Sequence, residues 1–133
     1  MVETSIVRQG DYGFDAPYVP VIFGLLSLGF LTLAVLNATQ GAVVGVIATL
    51  LAAMWFFGCM ASYIYTTRTG KFVVWSQVLD EMNLTGQEQV LDLGCGRGAV
   101  LLLAAERLDG GRAHGVDLWR SQDQSGNAVE TTT

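Results

Sequence analysis

The sequence is poor in charge, and its few charges are unevenly placed. From Ala16 to Thr67 it has no Asp, Glu, Lys or Arg at all. Only 14% of the chain is charged against 51% hydrophobic. A soluble core helix rarely needs such a run, whereas a bilayer does. Basic residues are scarce as well. Seven Lys and Arg face twelve Asp and Glu, for a net charge of -5, and they cluster nowhere. That excludes a phosphate-tracking nucleic-acid surface and a polybasic lipid-binding segment. Histidine and cysteine are nearly absent: one His and two Cys, without CxxC spacing, give no zinc site. Cys59 falls in the apolar region and Cys95 in a glycine-rich loop. A disulfide would need one thiol at membrane depth, so reduced, cytosol-facing chemistry is the simpler expectation.

What is present begins with a polar arm, residues 1–17, containing Gly10, Gly13 and Pro17. It reads as loose. A cleaved signal peptide fits poorly, because the basic start is only Arg8, offset by Glu3, and a second apolar run follows the first at once. The hairpin region, 18–66, holds two apolar runs, 18–36 and 42–65, each long enough to cross a bilayer. Pro20 suits a first helical turn. The short turn Asn37-Ala38-Thr39-Gln40-Gly41 returns the second run antiparallel to the first. Arg8 precedes the hairpin and Arg68 and Lys71 follow it, so the positive-inside rule places both termini in the cytoplasm. Tyr18, Tyr63 and Tyr65 sit where interfacial aromatics belong.

Gly41, Gly45, Thr49 and Ala53 recur every four residues as a small-residue stripe on the second run. Such a stripe permits close packing within a hairpin, or a homo-oligomer through the Gly41/Gly45 face. Asn37-Ala38-Thr39 matches a glycosylation sequon, but it is short and abuts the membrane. A linker helix is expected over 71–84, with Trp75, Val78, Leu79 and Met82 on one face. Its polar face lacks basic residues, which favours packing onto the next domain over lying on a membrane.

The chemistry lies beyond it, in 88–133. Gln89-Val90-Leu91-Asp92-Leu93 reads as a buried strand. Gly94-Cys95-Gly96-Arg97-Gly98 is a glycine loop, Ala99 to Leu108 a helix, and Arg112 to Leu118 a second strand. This is one βαβ unit. Glycines permit positive φ and close backbone approach, and the unpartnered first N–H groups of the helix that the loop opens, with the helix dipole, favour an anionic or carboxylate-bearing ligand. Asp117, ending the second strand, suits the vicinal hydroxyls of a ribose. Together these features describe an adenosine-type ligand. A dinucleotide is one such ligand, and Gly94, Gly96 and Ala99 satisfy its fingerprint. Asp92 discriminates: a carboxylate at the loop mouth repels a pyrophosphate and suits a cationic amino-acid ligand.

The stretch Val90 to Gly98, VLDLGCGRG, resembles the first signature motif of class I S-adenosylmethionine-dependent methyltransferases, and His114 to Trp119, HGVDLW, resembles the next. The match covers Val90 to Trp119, under a quarter of the chain. It implies an α/β fold, a Rossmann-like sheet (here an incomplete β-α-β) behind two transmembrane helices. It implies S-adenosyl-L-methionine as cofactor, bound at Asp92, Gly94, Cys95, Gly96, Gly98, Asp117, Leu118 and Trp119. The glycines would line its methionine and ribose, Asp92 would sit near its amino group, Asp117 would hold the ribose hydroxyls, and Leu118 and Trp119 would flank the adenine. Cys95 reads as a small filler rather than a nucleophile, and His114 as structural. Trp119 as adenine wall and Trp119 as ordinary packing stay equally open, and Arg97 faces either solvent or substrate. No catalytic residue is assigned.

Asp123 or Ser125 is expected to cap a further crossover helix. A doubly wound sheet needs more strands than two, so the chain reads as the first part of such an enzyme, whose activity as it stands is open. The expected partners are the lipid bilayer and a methyl acceptor, a small molecule or lipid, without nucleic acid. Two other readings remain. One is a non-enzymatic membrane subunit or remnant acting through the hairpin; the other is a fragment of a dinucleotide-dependent oxidoreductase.

Overall fold

The structure is a computed structural model that describes residues 12–120 and 123–126. The chain divides into two compact units, Pro17–Thr66 and the segments on either side of it, Met1–Ala16 with Thr67–Thr133. The expected arm's residues 1–11, with Arg8, and the tail 127–133 lie outside the described residues.

The first unit is a helical hairpin. Helix α1 spans Tyr18–Thr39 and α2 spans Val43–Tyr65. With 22 and 23 residues they are about 33 and 35 Å long, and both are long and apolar enough to cross a membrane. Helix α1 runs three residues past its expected end, because Asn37 to Thr39 complete its last turn. The stop is Gly41, whose φ of +69° is the left-handed conformation that terminates helices. The Gly41 N–H donates to the Ala38 carbonyl (3.1 Å) and the Ala42 N–H to that of Asn37 (3.0 Å).

The small-residue stripe is a packing face inside this hairpin. Ala53 is 2% exposed, and its carbonyl accepts the buried Ser27 hydroxyl at 3.0 Å. A Cβ at Gly45 would lie 2.7 Å from Oδ1 of Asn37, while the space beside Gly41 is open. Phe56 stacks on Phe30 at 5.5 Å between ring centroids and lies near Phe23. The outer surface is apolar and uncovered, with Val44, Trp55 and Leu25 all more than half exposed.

A π-helical turn, Thr66–Gly70, carries the chain into the second unit and its helix α3, Lys71–Glu81. Strand β1 is Gln89–Leu93, helix α4 is Ala99–Ala105 and strand β2 is Arg112–Val116. The strands pair in parallel, Gln89 opposite Arg112 and Asp92 opposite Gly115. Helix α4 ends three residues before its expected limit, and α3 also stops short of 84. The sheet has two strands among the described residues. Its open face exposes Leu91, Leu93, Val116 and Leu118.

Three expectations are corrected here. The arm is not loose where it is described. Ala16 N–H donates to Asp123 O, and Phe14 and Ser125 exchange bonds, Ser125 N–H to Phe14 O and Phe14 N–H to Ser125 Oγ. These tie 12–16 to the chain's other end. Second, Asp123 to Ser125 lie in a turn where Gln124 forms an antiparallel bridge with Asp15; the crossover helix expected after them lies outside the described residues. Third, the inward face of α3 is Phe72, Ser76 and Leu79, while Trp75, Val78 and Met82 stay exposed. The reason is Arg107. Its Nη2 donates to Ser76 Oγ at 2.8 Å and to Asp80 at 2.6 Å, and its Nη1 to Leu103 O at 2.7 Å. The polar anchor turns α3, so the most hydrophobic stripe is not the buried one. Tyr12, Phe72 and Ala99 make the small core, with Leu103 packed against it. Tyr12 and Phe72 meet at 5.2 Å.

Candidate functional site

Strand β1 ends where the glycine loop begins, and the loop's backbone leaves ordinary φ space. Gly94, Gly96 and Gly98 have φ of +81°, +52° and +79°, which only glycine adopts without strain. The Gly94 and Cys95 N–H groups both turn to the carbonyl of Val116 in β2, so the two strand ends are clamped together. This brings Asp92 and Asp117 to one side of the loop, around a cavity of about 260 Å³.

Of the positions expected to bind cofactor, Asp92, Gly94, Cys95, Gly96 and Asp117 line this cavity. Leu118 lines a neighbouring hollow with Leu93, Val116 and the other side of Asp117. Gly98 and Trp119 line neither. Gly98 instead shapes the start of α4. Trp119 has a positive φ of 55°, and its N–H is held by Asp117 Oδ1 at 2.6 Å.

Asp117 is fixed from two sides, since its Oδ2 also accepts the Gly96 N–H at 2.9 Å. Asp92 has a different setting. Its Oδ2 is buried and has no hydrogen-bond partner. Burial raises its pKa, the nearby Asp117 adds to that, and a backbone hydrogen bond from Leu101 opposes it. A buried acceptor without a donor is costly, and a cationic donor from a ligand would remove that cost. Cys95 is buried, with its Sγ near the Gly96 carbonyl oxygen. Desolvation, with Asp92 and Asp117 beside it, raises its pKa. A raised pKa disfavours the thiolate.

Among the cavity residues outside the expected binding positions are Asp15, Lys71 and Gln124. They form a chain of contacts. Lys71 Nζ pairs with Asp15 Oδ2 at 2.7 Å. Gln124 Nε2 donates to Asp15 Oδ1 at 2.8 Å, and Gln124 Oε1 accepts the Arg97 N–H at 2.8 Å. Arg97, whose direction was open, sends Nη1 to the Ser125 carbonyl at 3.2 Å. One signal for the ion pair was present. Asp15 and Lys71 carry opposite charges just outside an uncharged hairpin that brings its two ends together.

No family model, curated protein or solved structure matches the chain.

Proposed function

We propose that this chain is the cofactor-binding part of a membrane-anchored S-adenosylmethionine-dependent methyltransferase. Its hairpin would span the bilayer with both ends in the cytoplasm, and the methyl acceptor would be a small molecule or a lipid. The observation that carries this reading is the buried, partnerless Asp92 Oδ2 facing a glycine loop, with Asp117 across the same cavity. A carboxylate so placed fits the ammonium of an amino acid, and Asp117 fits a ribose diol. The same Asp92 would repel a pyrophosphate, which disfavours a dinucleotide.

When bound, S-adenosylmethionine supplies a methyl group already activated by its sulfonium, so the protein's task is alignment more than acid–base catalysis. Here Asp92 would hold the amino group, Asp117 the ribose, and the glycine backbone would admit the ligand closely. Arg68 and Lys71, directly after α2, support the cytoplasmic orientation.

Calorimetry on the full chain in detergent tests this with S-adenosylhomocysteine, the demethylated form. Wild type binds it. Asp117→Ala weakens binding by roughly tenfold or more, as loss of a charged hydrogen-bond acceptor should. A wild-type chain that binds no S-adenosyl compound sinks the reading, and leaves the hairpin as the functional part.

A further inference from the structure

Among the described residues, the cavity beside the glycine loop is lined by four carboxylates, Asp15, Asp92, Asp117 and Asp123, and by a single cationic side chain, Lys71. A zwitterionic amino-acid group entering it meets two opposite problems. Its ammonium is welcomed by Asp92, but its carboxylate is repelled by the remaining acids. Lys71 is the one lining group able to answer that repulsion. Its side chain is 19% exposed, and its Nζ is held at 2.7 Å from Asp15, which is itself held by Gln124. An ammonium has three donors, and Asp15 takes one.

We infer that Lys71, positioned by Asp15, recognises the carboxylate of the ligand's amino-acid end. Together Lys71 and Asp92 thus read the two charges of an α-amino acid, one on each. This rests on the S-adenosyl reading above and extends it from the motif to a residue on a different helix. The pairing makes Lys71 a specificity determinant. It favours adenosine thioethers that carry the amino acid over those that lack it. The contact with Asp15 matters because a four-carbon side chain held in place loses less entropy on binding than a free one.

The test compares two probes on the full chain in detergent by calorimetry: S-adenosylhomocysteine and 5′-methylthioadenosine, which keeps the adenosine thioether and lacks the amino acid. Wild type prefers the first. Lys71→Met lowers affinity for S-adenosylhomocysteine about tenfold or more and leaves methylthioadenosine within about twofold. Lys71→Arg keeps most of the preference, which also shows that the position tolerates substitution. The Asp15→Asn/Lys71→Met double variant still loses the preference, because the loss comes from missing attraction and not from an unmasked Asp15. Far-UV circular dichroism checks that each variant is folded. Equal weakening of both probes by Lys71→Met, no weakening of either, or recovery in the double variant overturns the assignment while leaving the S-adenosyl reading intact. Wild type binding neither probe overturns both. Wild type binding methylthioadenosine as tightly as S-adenosylhomocysteine overturns the Lys71 assignment and the Asp92 contact with the amino group, and leaves binding of the adenosine thioether.

Discussion

Cys95 stands where a side chain on Gly115 would have to go. A Cβ at Gly115 would lie 2.6 Å from Cys95 Sγ and 2.8 Å from Leu101 Cδ2. Gly115 sits in β2 opposite Asp92, so its missing side chain lets both the loop and α4 close onto the sheet. Gly115→Ala forces one of them outward. Overpacking of this kind costs about 1–3 kcal/mol. It also shifts the loop that carries Gly94 and Gly96. Urea unfolding monitored by circular dichroism should show the loss, and ligand affinity should fall with it. Cys95→Ala in the same chain restores room and should recover part of both.

The local parts of this site were legible in the sequence and the distant parts were not. The bounds of strand β1 were readable because an apolar run ends at a loop with three glycines, but its expected burial was not borne out: Leu91 and Leu93 are exposed. The partners Asp92, Gly94, Gly96 and Asp117 follow from one βαβ unit, whose parallel pairing fixes where each strand ends. Asp15 and Gln124 lie 109 positions apart, and no periodicity links them. The face of α3 was misread for a related reason. Hydrophobic spacing marks Trp75, Val78 and Met82, but the hydrogen bonds from Arg107 to Ser76 and Asp80 decide which way the helix turns. Polar anchors across elements override a hydrophobic stripe when the unit is small and its core is only a few residues. The wider doubly wound sheet is not present among the described residues.

Asp92 has opposite effects on stability and on binding. Its pKa is raised above the ordinary 3.8, first by burial. A carboxyl whose folded pKa exceeds its unfolded one stabilises the fold only while protonated, and that contribution is lost as pH rises through the raised value. At neutral pH the ionised group therefore opposes folding of the unliganded chain. Asp92→Asn should raise the melting temperature at pH 7, with the advantage fading as pH falls through the raised value toward the ordinary carboxylate pKa. Affinity for S-adenosylhomocysteine should fall by roughly tenfold or more, because a charged hydrogen bond is lost. In wild type the affinity should decline on acidification, beginning above the ordinary carboxylate pKa. A melting temperature and an affinity that move together would contradict this account.

Gly45 packs against Asn37 within one chain, its Cβ position 2.7 Å from the Asn37 Oδ1. Gly45→Leu should therefore destabilise the hairpin itself, by about 1–3 kcal/mol. Unfolding of the reconstituted chain in increasing SDS, followed by circular dichroism, measures this. The loss should not depend on protein concentration. A loss that grows on dilution would instead place a second copy at this face. Gly41→Ala is a different case, because space beside Gly41 is open. Its cost comes from a φ of +69°, where an L side chain is strained by about 1–2 kcal/mol.

Gln124 holds the glycine loop and the segment ahead of α1 in one contact chain. Its carboxamide oxygen takes the Arg97 N–H and its amide nitrogen donates to Asp15. It also approaches Gly96 closely, since a Cβ there would sit 2.6 Å from Gln124 Oε1. Gln124→Ala removes both bonds at once. Each is worth about 1 kcal/mol net, and the loss should be local, because the core of Tyr12, Phe72 and Ala99 does not include Gln124. Hydrogen exchange locates it. The Ala16 amide, bonded to the Asp123 carbonyl, should exchange faster by about tenfold or more, whereas amides of β1 paired with β2 should keep their protection. Gln124→Glu separates the two halves of the contact. A carboxylate can still accept from Arg97 N–H but meets Asp15 with like charge, so the Ala16 amide should again lose protection. If it is unchanged in both variants, the segment is held by its other contacts, such as the backbone bonds to Asp123 and Ser125 and the Lys71–Asp15 pair, and Gln124 serves only the loop.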